Sequence, residues 1–509
     1  MSSSPTDGPA AHTPPVHDAH GSNRRFDFST EVPVASSLGR VHFIAIGGAG
    51  MSGVARVMLA LGMTVSGSDA KDSLVLTALA AEGAEVHIGH DANHLVGADT
   101  VVISSAIRED NVELLAARTR GLQVLHRSQA LASVMQGSRR VAVAGTNGKT
   151  TTTAMLIVAL QACGADPSFA VGGELAKHGT NAHLGTGDIF VAEADESDGS
   201  FIVYKPDVAI VTSVQPDHLD FYGTFEAVQA AYADFAATVR PGGLLVSCAD
   251  DLGSRALAEV AGAGGNRVIT YGLAADADVR LSTPGGAGFH GHADLMEAGV
   301  LIGRLEIGMP GRHNLLNATA AFVAATMGLG QDPERVLGGL AGFTGTRRRF
   351  EPKGEVAGIR VVDDYAHNPG KVAAVVGTAS SLAAPGRLIV VFQPHLYSRT
   401  RDFAAELAMA LSPADVVIVM DVYAAREDPM PGVSGALIAD RLVEATGQGG
   451  PDQVRFVPFW SDVPTLVAQI AKRGDLVLTR VVGNITMIGP AVLRMLGRRT
   501  DETKRPHGT

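Results

Sequence analysis

The chain has 509 residues, with 41 Lys and Arg against 52 Asp and Glu for a formal charge of −11, and 46 % of it is hydrophobic. That length and apolar content suffice for about three domains, each with a buried core, and exclude disorder throughout. The net acidity argues against a dedicated nucleic-acid or anionic-membrane surface, both of which concentrate Lys and Arg.

Residues 1–36 are rich in Ser, Pro, His, Asp and Gly and read as a disordered tail. They lack the apolar core of a signal peptide, and no apolar run reaches the roughly 18 residues of a membrane span, which predicts a cytoplasmic protein. From residue 40, β-branched runs alternate with helix-period stretches: RVHFIAI (40–46) before MSGVARVMLALG, and TVVISS (100–105) before NVELLAAR. Such alternation predicts βαβ units on a parallel sheet. It restarts at RRVAVAG (139–145), with further strands at DIFVAEA (188–194) and DVAIVTS (207–213). A third series opens at IRVVDDY (359–365) and continues through RLIVVF (387–392), DVVIVM (415–420) and DLVLT (475–479). Junctions are expected near 126–138 and 343–350, and the Gly-rich stretch 274–308 reads as a hairpin decorating the second domain. Cys163 and Cys248 support neither a disulfide framework nor a zinc cluster.

Two glycine loops carry the chemistry. Gly48-Ala49-Gly50-Met51-Ser52-Gly53 follows the first strand and opens a helix, with Asp69 about 20 residues on, the pattern of a diphosphate seated at a helix N-terminus. A nicotinamide dinucleotide, a nucleotide-diphosphate sugar and a ligand-free tight turn all remain compatible with it. The second loop, Gly145-Thr146-Asn147-Gly148-Lys149-Thr150, is a shortened G-x-x-G-K-T: amides cradle phosphates, Lys149 neutralises charge on the β- and γ-phosphates, and the Thr150 hydroxyl ligates Mg²⁺. Acids to complete a metal site are offered by Glu193-Ala194-Asp195-Glu196-Ser197-Asp198, at the end of a strand, and by Asp217-His218 after the next. A solvated acidic loop and a structural histidine are the plain alternatives.

The segments HFIAIGGAGMSG, SGSD, ISSAI, GTNGKTTTT, AEADESDGSF, PDHLD, PGRHNLLNA, RRRF, DDYAH, FQPH, SRTR and DVYAAREDPMPGVSGAL, in this order over residues 40–497, resemble the Mur ligase family, the ATP-dependent amide-forming enzymes of peptidoglycan precursor synthesis. The likeness is greatest to its alanine-adding branch. It implies an α/β protein of three domains: a Rossmann-like UDP-sugar-binding domain (37–130), a central P-loop ATPase-like domain with a parallel or mixed sheet (131–346), and a Rossmann-like amino-acid-binding domain (347–498), with a polar tail at 499–509. It also turns the first loop from a dinucleotide to a UDP-sugar.

By the resemblance, Gly48, Ala49, Gly50, Met51, Ser52, Gly53, Ser68, Asp69, Ser104, Ser105 and Ala106 bind the UDP-sugar. Gly145, Thr146, Asn147, Gly148, Lys149, Thr150 and Thr151 bind ATP, with His313, Asn314, Asn317, Arg348, Arg349 and Asp363. Asn314 also reads as a helix cap. Thr150, Glu193 and His218 match magnesium-coordinating positions and, with Lys149, form the catalytic set. Tyr365, His367 and Arg399 face the amino acid. The implied reaction joins L-alanine to the lactyl carboxylate of UDP-N-acetylmuramate through an acyl phosphate, releasing ADP and phosphate, in a monomer or homodimer. Rival readings are a ligase of the same class using glycine, serine or a preformed peptide, and a non-catalytic nucleotide-sugar-binding regulator. Asn147, Asn368, Leu396 and Asn484 depart from the branch's usual pattern, and bear on the identity of the amino acid more than on the reaction type.

Overall fold

The computed structural model describes residues 26–504 except 174–178, 347–348, 367, 426, 446–448 and 481–486. Three sheets follow one another along the chain. The first is wholly parallel, built from β1 (Val41–Ile44), β2 (Val65–Asp69), β3 (Glu85–Ile88), β4 (Thr100–Ile103) and β5 (Gln123–His126) in the order 3-2-1-4-5. Its central strands β1 and β4 are buried from end to end, as a sheet covered by helices on both faces requires. The site-forming loops leave the C-terminal ends of β1, β2 and β4, beside the point where strand order reverses.

The central sheet comprises β6 (Arg139–Ala144), β7 (Ser168–Ala170), β8 (Ala182–His183), β9 (Ile189–Glu193), β10 (Val208–Val211), β11 (Leu244–Cys248), β12 (Arg267–Gly272), β13 (Val279–Ala287), β14 (His290–Glu297) and β15 (Val300–Ile307). Their order is 15-14-13-12-11-10-6-9-7-8. The neighbours β9, β6 and β10 run parallel, so the glycine loop after β6, Glu193 at the end of β9 and Asp217-His218 beyond β10 emerge at one edge. The hairpin expected over 274–308 is present, but one part of that expectation is corrected: it extends the main sheet instead of decorating it. β13 pairs in parallel with β12, and β13–β15 continue the same sheet as an antiparallel meander. The short Gly-rich turns hid this, because they allow local hairpins whether or not the first strand joins a larger sheet.

The third sheet holds β16 (Glu351–Val356), β17 (Ile359–Asp364), β18 (Leu388–Phe392), β19 (Val416–Val419), β20 (Gln453–Phe456) and β21 (Leu476–Arg480) in the order 16-17-21-18-19-20, parallel except for β16. The C-terminal ends of β17 and β18 turn toward the glycine loop of the central domain.

Both expected tails are shorter than the composition suggested. Residues 26–36 lie against the first domain: the rings of Phe26 and Phe28 pack on His126, and Gln129 and Gln136 donate to the carbonyls of Asp27 and Val32. At the other end the helix Ile488–Lys504 runs through the start of the supposed polar tail. Two aromatic residues in the first case, and continuity of helix in the second, outweighed polar composition.

Candidate active site

The helix Lys149–Ala162 begins with Lys149 and four threonines, a poor helix-forming run. Burial holds it, since Thr150 to Thr153 are all 7 % exposed or less, and Thr153 Oγ1 donates back to the Lys149 carbonyl at 2.8 Å. Its N-cap is Gly148 at φ 85°, where an added Cβ would lie 2.5 Å from Asn317 Oδ1. The loop therefore requires glycine both for its left-handed backbone and for the approach of the helix Arg312–Val323.

Lys149 Nζ donates to Gly145 O at 2.8 Å and to Glu196 Oε1 and Oε2 at 2.9 and 2.6 Å. Burial by itself lowers an ammonium's pKa, but the carboxylates of Glu196, Asp195 and Glu193 outweigh it, and Lys149 is held above its ordinary value. Its charge is thus secure. Thr150 Oγ1 donates to Glu193 Oε1 at 2.9 Å, while Glu193 Oε2 accepts the Gly172 amide at 2.8 Å. His218, in the left-handed region at φ 53°, brings Nε2 to 4.0 Å from Glu196 Oε1. Thr150, Glu193 and His218 thus gather around Lys149. Two oxygen donors and an imidazole form a set suited to a hard divalent cation, although no described group of three His, Cys, Asp or Glu has ready-made metal geometry.

The third domain reaches across to this edge. Arg349 Nη2 donates to Thr150 Oγ1 at 3.4 Å, and its guanidinium lies 5.8 Å over the Tyr365 ring. Arg399 Nη2 is 3.2 Å from Asp217 Oδ1, and Asn368 Nδ2 donates to Asp217 Oδ2 at 3.0 Å. Burial opposes ionisation of Asp217, but His218, Lys371, Arg399 and the Asn368 bond hold its carboxyl well below the usual range. Asn368 also caps the helix Pro369–Ala383 through Lys371 N, so this departure from the family pattern performs two structural tasks. Leu396 takes φ 69° before the helix Tyr397–Leu411. Arg348, His367 and Asn484 lie outside the described residues.

A cavity of about 320 Å³ opens between the central and third domains, lined among others by Asn147, Gly148, Thr151, His313, Asn314, Asn317 and Arg349. Burial lowers the pKa of His313, so a neutral imidazole faces it. Asn314 Nδ2 donates to Pro310 O at 2.7 Å, so its amide also serves the local turn. Thr146 is buried and ties the loop to the segment after β10. Asp363 is a correction: its Oδ1 accepts from Thr479 Oγ1 at 3.0 Å, and Asp364 occupies the cavity wall. Successive strand residues face opposite sides, and a DD pair does not say which.

In the first domain, Gly48 and Ala49 are exposed at the mouth of the loop. Gly47 N donates to Asp69 Oδ2 at 3.0 Å, so Asp69 braces the loop from β2. At Gly50 a Cβ would run into Arg127, whose guanidinium is 3.5 Å from Asp195. Gly53 faces Asn181 of the central domain. Met51 belongs to the core, and Ser52 Oγ donates to Ala49 O at 3.2 Å; the side chains of these two residues turn away from the loop mouth. Ser104 closes the turn after β4, where the Ile107 amide donates to its carbonyl at 3.1 Å, and Ala106 is exposed there. Ser105 binds Asp198 across the domain junction.

Ser68 donates to the fully buried Glu113, with His90 Nδ1 3.0 Å and His94 Nδ1 2.8 Å from the same carboxylate. Burial raises this carboxyl, but His42, whose Nε2 stands 3.7 Å away, and the bonds of Ser68 and His94 bring it down to about 2. Sequence reasoning missed Glu113 and Lys371 at the sites, and offered Glu196 and Asp217 as metal-site acids where the structure shows them as partners of Lys149 and of Arg399 and Asn368. Lys371 lies just past a quoted motif; Glu113 carries no local signal.

Comparison with known proteins agrees with the three-domain fold. Models of the Mur ligase family match in succession: the catalytic domain over residues 40–139, the middle domain over 143–325 and the glutamate ligase domain over 348–480. The chain is 53 % identical over 473 residues to a UDP-N-acetylmuramate–L-alanine ligase of Renibacterium salmoninarum, covering 93 % of this chain and 99 % of that protein. It is 54 % identical over 467 residues to one of Kineococcus radiotolerans, covering 91 % and 97 %. Among solved structures, the UDP-N-acetylmuramate–alanine ligase of Thermotoga maritima superposes with a TM-score of 0.75 at 27 % identity, over 91 % of this chain and 99 % of that one.

Proposed function

The chain belongs to the Mur ligase family, and from that membership we propose that it joins L-alanine to the lactyl carboxylate of UDP-N-acetylmuramate, with conversion of ATP to ADP and phosphate. The observation that carries this reading is identity above 50 % over more than nine-tenths of the chain to ligases named for that reaction.

A carboxylate repels an amine nucleophile and offers oxide as a leaving group, so it must be activated. Transfer of the γ-phosphoryl to the lactyl oxygen gives an acyl phosphate; the amine then attacks the carbonyl carbon, and phosphate departs from the tetrahedral intermediate. Lys149, its pKa held above the ordinary value by the neighbouring carboxylates, neutralises the phosphoryl group in flight. Amides of Gly148 to Thr150 cradle the phosphates, and Arg349 brings a second charge from the third domain to the same threonine. Thr150, Glu193 and His218 would hold Mg²⁺, which offsets the charge of the assembled anions. Asp217, kept ionised, anchors Arg399 and Asn368 and so fixes the amino-acid side against the phosphate side. Closure of three domains around this point excludes water from the acyl phosphate. ATP, the UDP-sugar and L-alanine are the small-molecule partners, in the cytoplasm; no described helix is long and apolar enough to cross a membrane.

The test is phosphate and ADP release measured with ATP, Mg²⁺ and UDP-N-acetylmuramate, adding L-alanine, glycine or L-serine in turn. Release is expected only with all components present and highest kcat/KM for L-alanine. A preference for glycine or L-serine transfers the assignment within the class, and absence of turnover with every amino acid removes it.

A further inference from the structure

Lys371 stands at the third position of the helix Pro369–Ala383, and its side chain lines the same cavity as Gly148 and Thr151 of the glycine loop. No described residue forms a hydrogen bond or ion pair with its ammonium. The charges that face it are Lys149 and Arg349, which repel it, and Asp217 and Glu196, which attract it. Both attracting carboxylates are already committed, Asp217 to Arg399 and Asn368, Glu196 to Lys149. The acids on the cavity wall are committed too: Asp250 and Asp251 accept the amides of Leu273 and Val214, and Asp364 those of Phe350 and Ala366. Lys371 is therefore a largely desolvated cation beside two others, with every nearby anion partnered. Burial, with Lys149 and Arg349, lowers it to about 8.

We propose that Lys371 is a phosphate-binding residue, a cation for the polyphosphate of the nucleotide, delivered from the third domain alongside Arg349. A polyanion at this wall replaces cation–cation repulsion with charge-assisted contacts. The phosphate is favoured over the carboxylate of the amino acid because Lys371 shares its cavity with Gly148, Thr151 and Asn317, whereas Arg399 does not line it. The inference rests on the reading that this cavity takes ATP.

Calorimetric titration of the full-length protein with ADP and with ATP separates the two ideas. If the unaltered chain binds neither nucleotide, the reading of the cavity fails, and this inference with it. Given binding, Lys371→Met is expected to raise Kd for both by about tenfold, the effect of losing one charge-assisted contact of roughly 1.4 kcal/mol, while Lys371→Arg retains most of the affinity. A second readout is the proton. Bound phosphate raises the ammonium's pKa, so the unaltered protein takes up protons on binding near pH 8, seen as a dependence of the binding heat on buffer ionisation, and Lys371→Met loses that uptake. Unchanged Kd and unchanged proton uptake in Lys371→Met overturn the proposal. So does a rise in KM confined to the amino acid, which would assign Lys371 to a carboxylate.

Discussion

At the scale of single residues, the site is a set of charges whose partners are specified. Lys149 is held by three neighbouring carboxylates and donates to Gly145 of the loop that it belongs to. Lys149→Ala is expected to lower kcat by about 10²-fold or more with UDP-sugar affinity retained, since the first loop is in another domain; equilibrium binding of the UDP-sugar checks the second half. Glu113 supplies a contrasting case. Its carboxyl sits at about 2 instead of 4.5, so its ionised form stabilises the fold fully above about pH 4.5, and that contribution fades as pH falls through about 2. The linkage amounts to about 3 kcal/mol at most. Glu113→Gln should therefore lower the melting temperature at neutral pH by a few degrees, flatten its decline below pH 4.5, and weaken UDP-sugar binding through the released Ser68. Thermal melts across that range decide it: an unaltered acid limb in the variant assigns the sensitivity elsewhere.

At the scale of elements, helix termini and strand ends place these residues. The P-loop helix opens on a left-handed glycine, and the helix Pro369–Ala383 opens on Asn368, whose Oδ1 accepts Lys371 N while its Nδ2 holds Asp217. Asn368→Ala removes both bonds. The cap alone is worth about 1 kcal/mol, a measurable drop in the melting temperature of the third domain, and loss of the Asp217 contact should raise KM for the amino acid more than that for ATP. Asn368→Asp keeps the cap acceptor but sets a carboxylate against the buried Asp217, so the melting temperature should still fall through repulsion, and turnover should be impaired as well. Buried Arg480 extends the same logic: Nη2 donates to Ala366 O at 2.6 Å and braces the turn after β17 from the strand alongside it.

At the scale of the molecule, reaction chemistry is assembled across domain junctions. The first domain is tied to the central one by Asn181, which accepts from Arg56 at 2.7 Å and donates to Ala49 O at 2.6 Å, and by Ser105 on Asp198. The third is tied by Arg349 on Thr150 and Arg399 on Asp217. Arg399→Ala is expected to loosen the third domain, enlarging the radius of gyration in solution scattering and lowering kcat while leaving UDP-sugar affinity as it is. An unchanged scattering profile would mean that the Arg349 contact suffices to hold the domains.

Much of this was legible in the residues. The three α/β series, the phosphate loop and the acids at neighbouring strand ends follow from local rules: buried β-branched runs, glycines before a helix, lysine beside threonine. Those rules act over a few residues, and sequence displays them. What escaped was long-range. Whether β13 joins β12, whether Asp363 or Asp364 faces the cavity, and that Phe26 and Phe28 dock on His126 depend on pairing between distant segments. Likewise Lys371 looks like any helical lysine until the third domain sets it opposite Lys149 and Arg349, and Glu113 like any surface glutamate until three histidines and Ser68 close around it. The sequence by itself determined the fold class, the family and the chemistry of the phosphate loop, because these are written in local pattern. Only the tertiary structure decided which charges meet, because electrostatic energy depends on distance and burial, and both arise when remote segments pack.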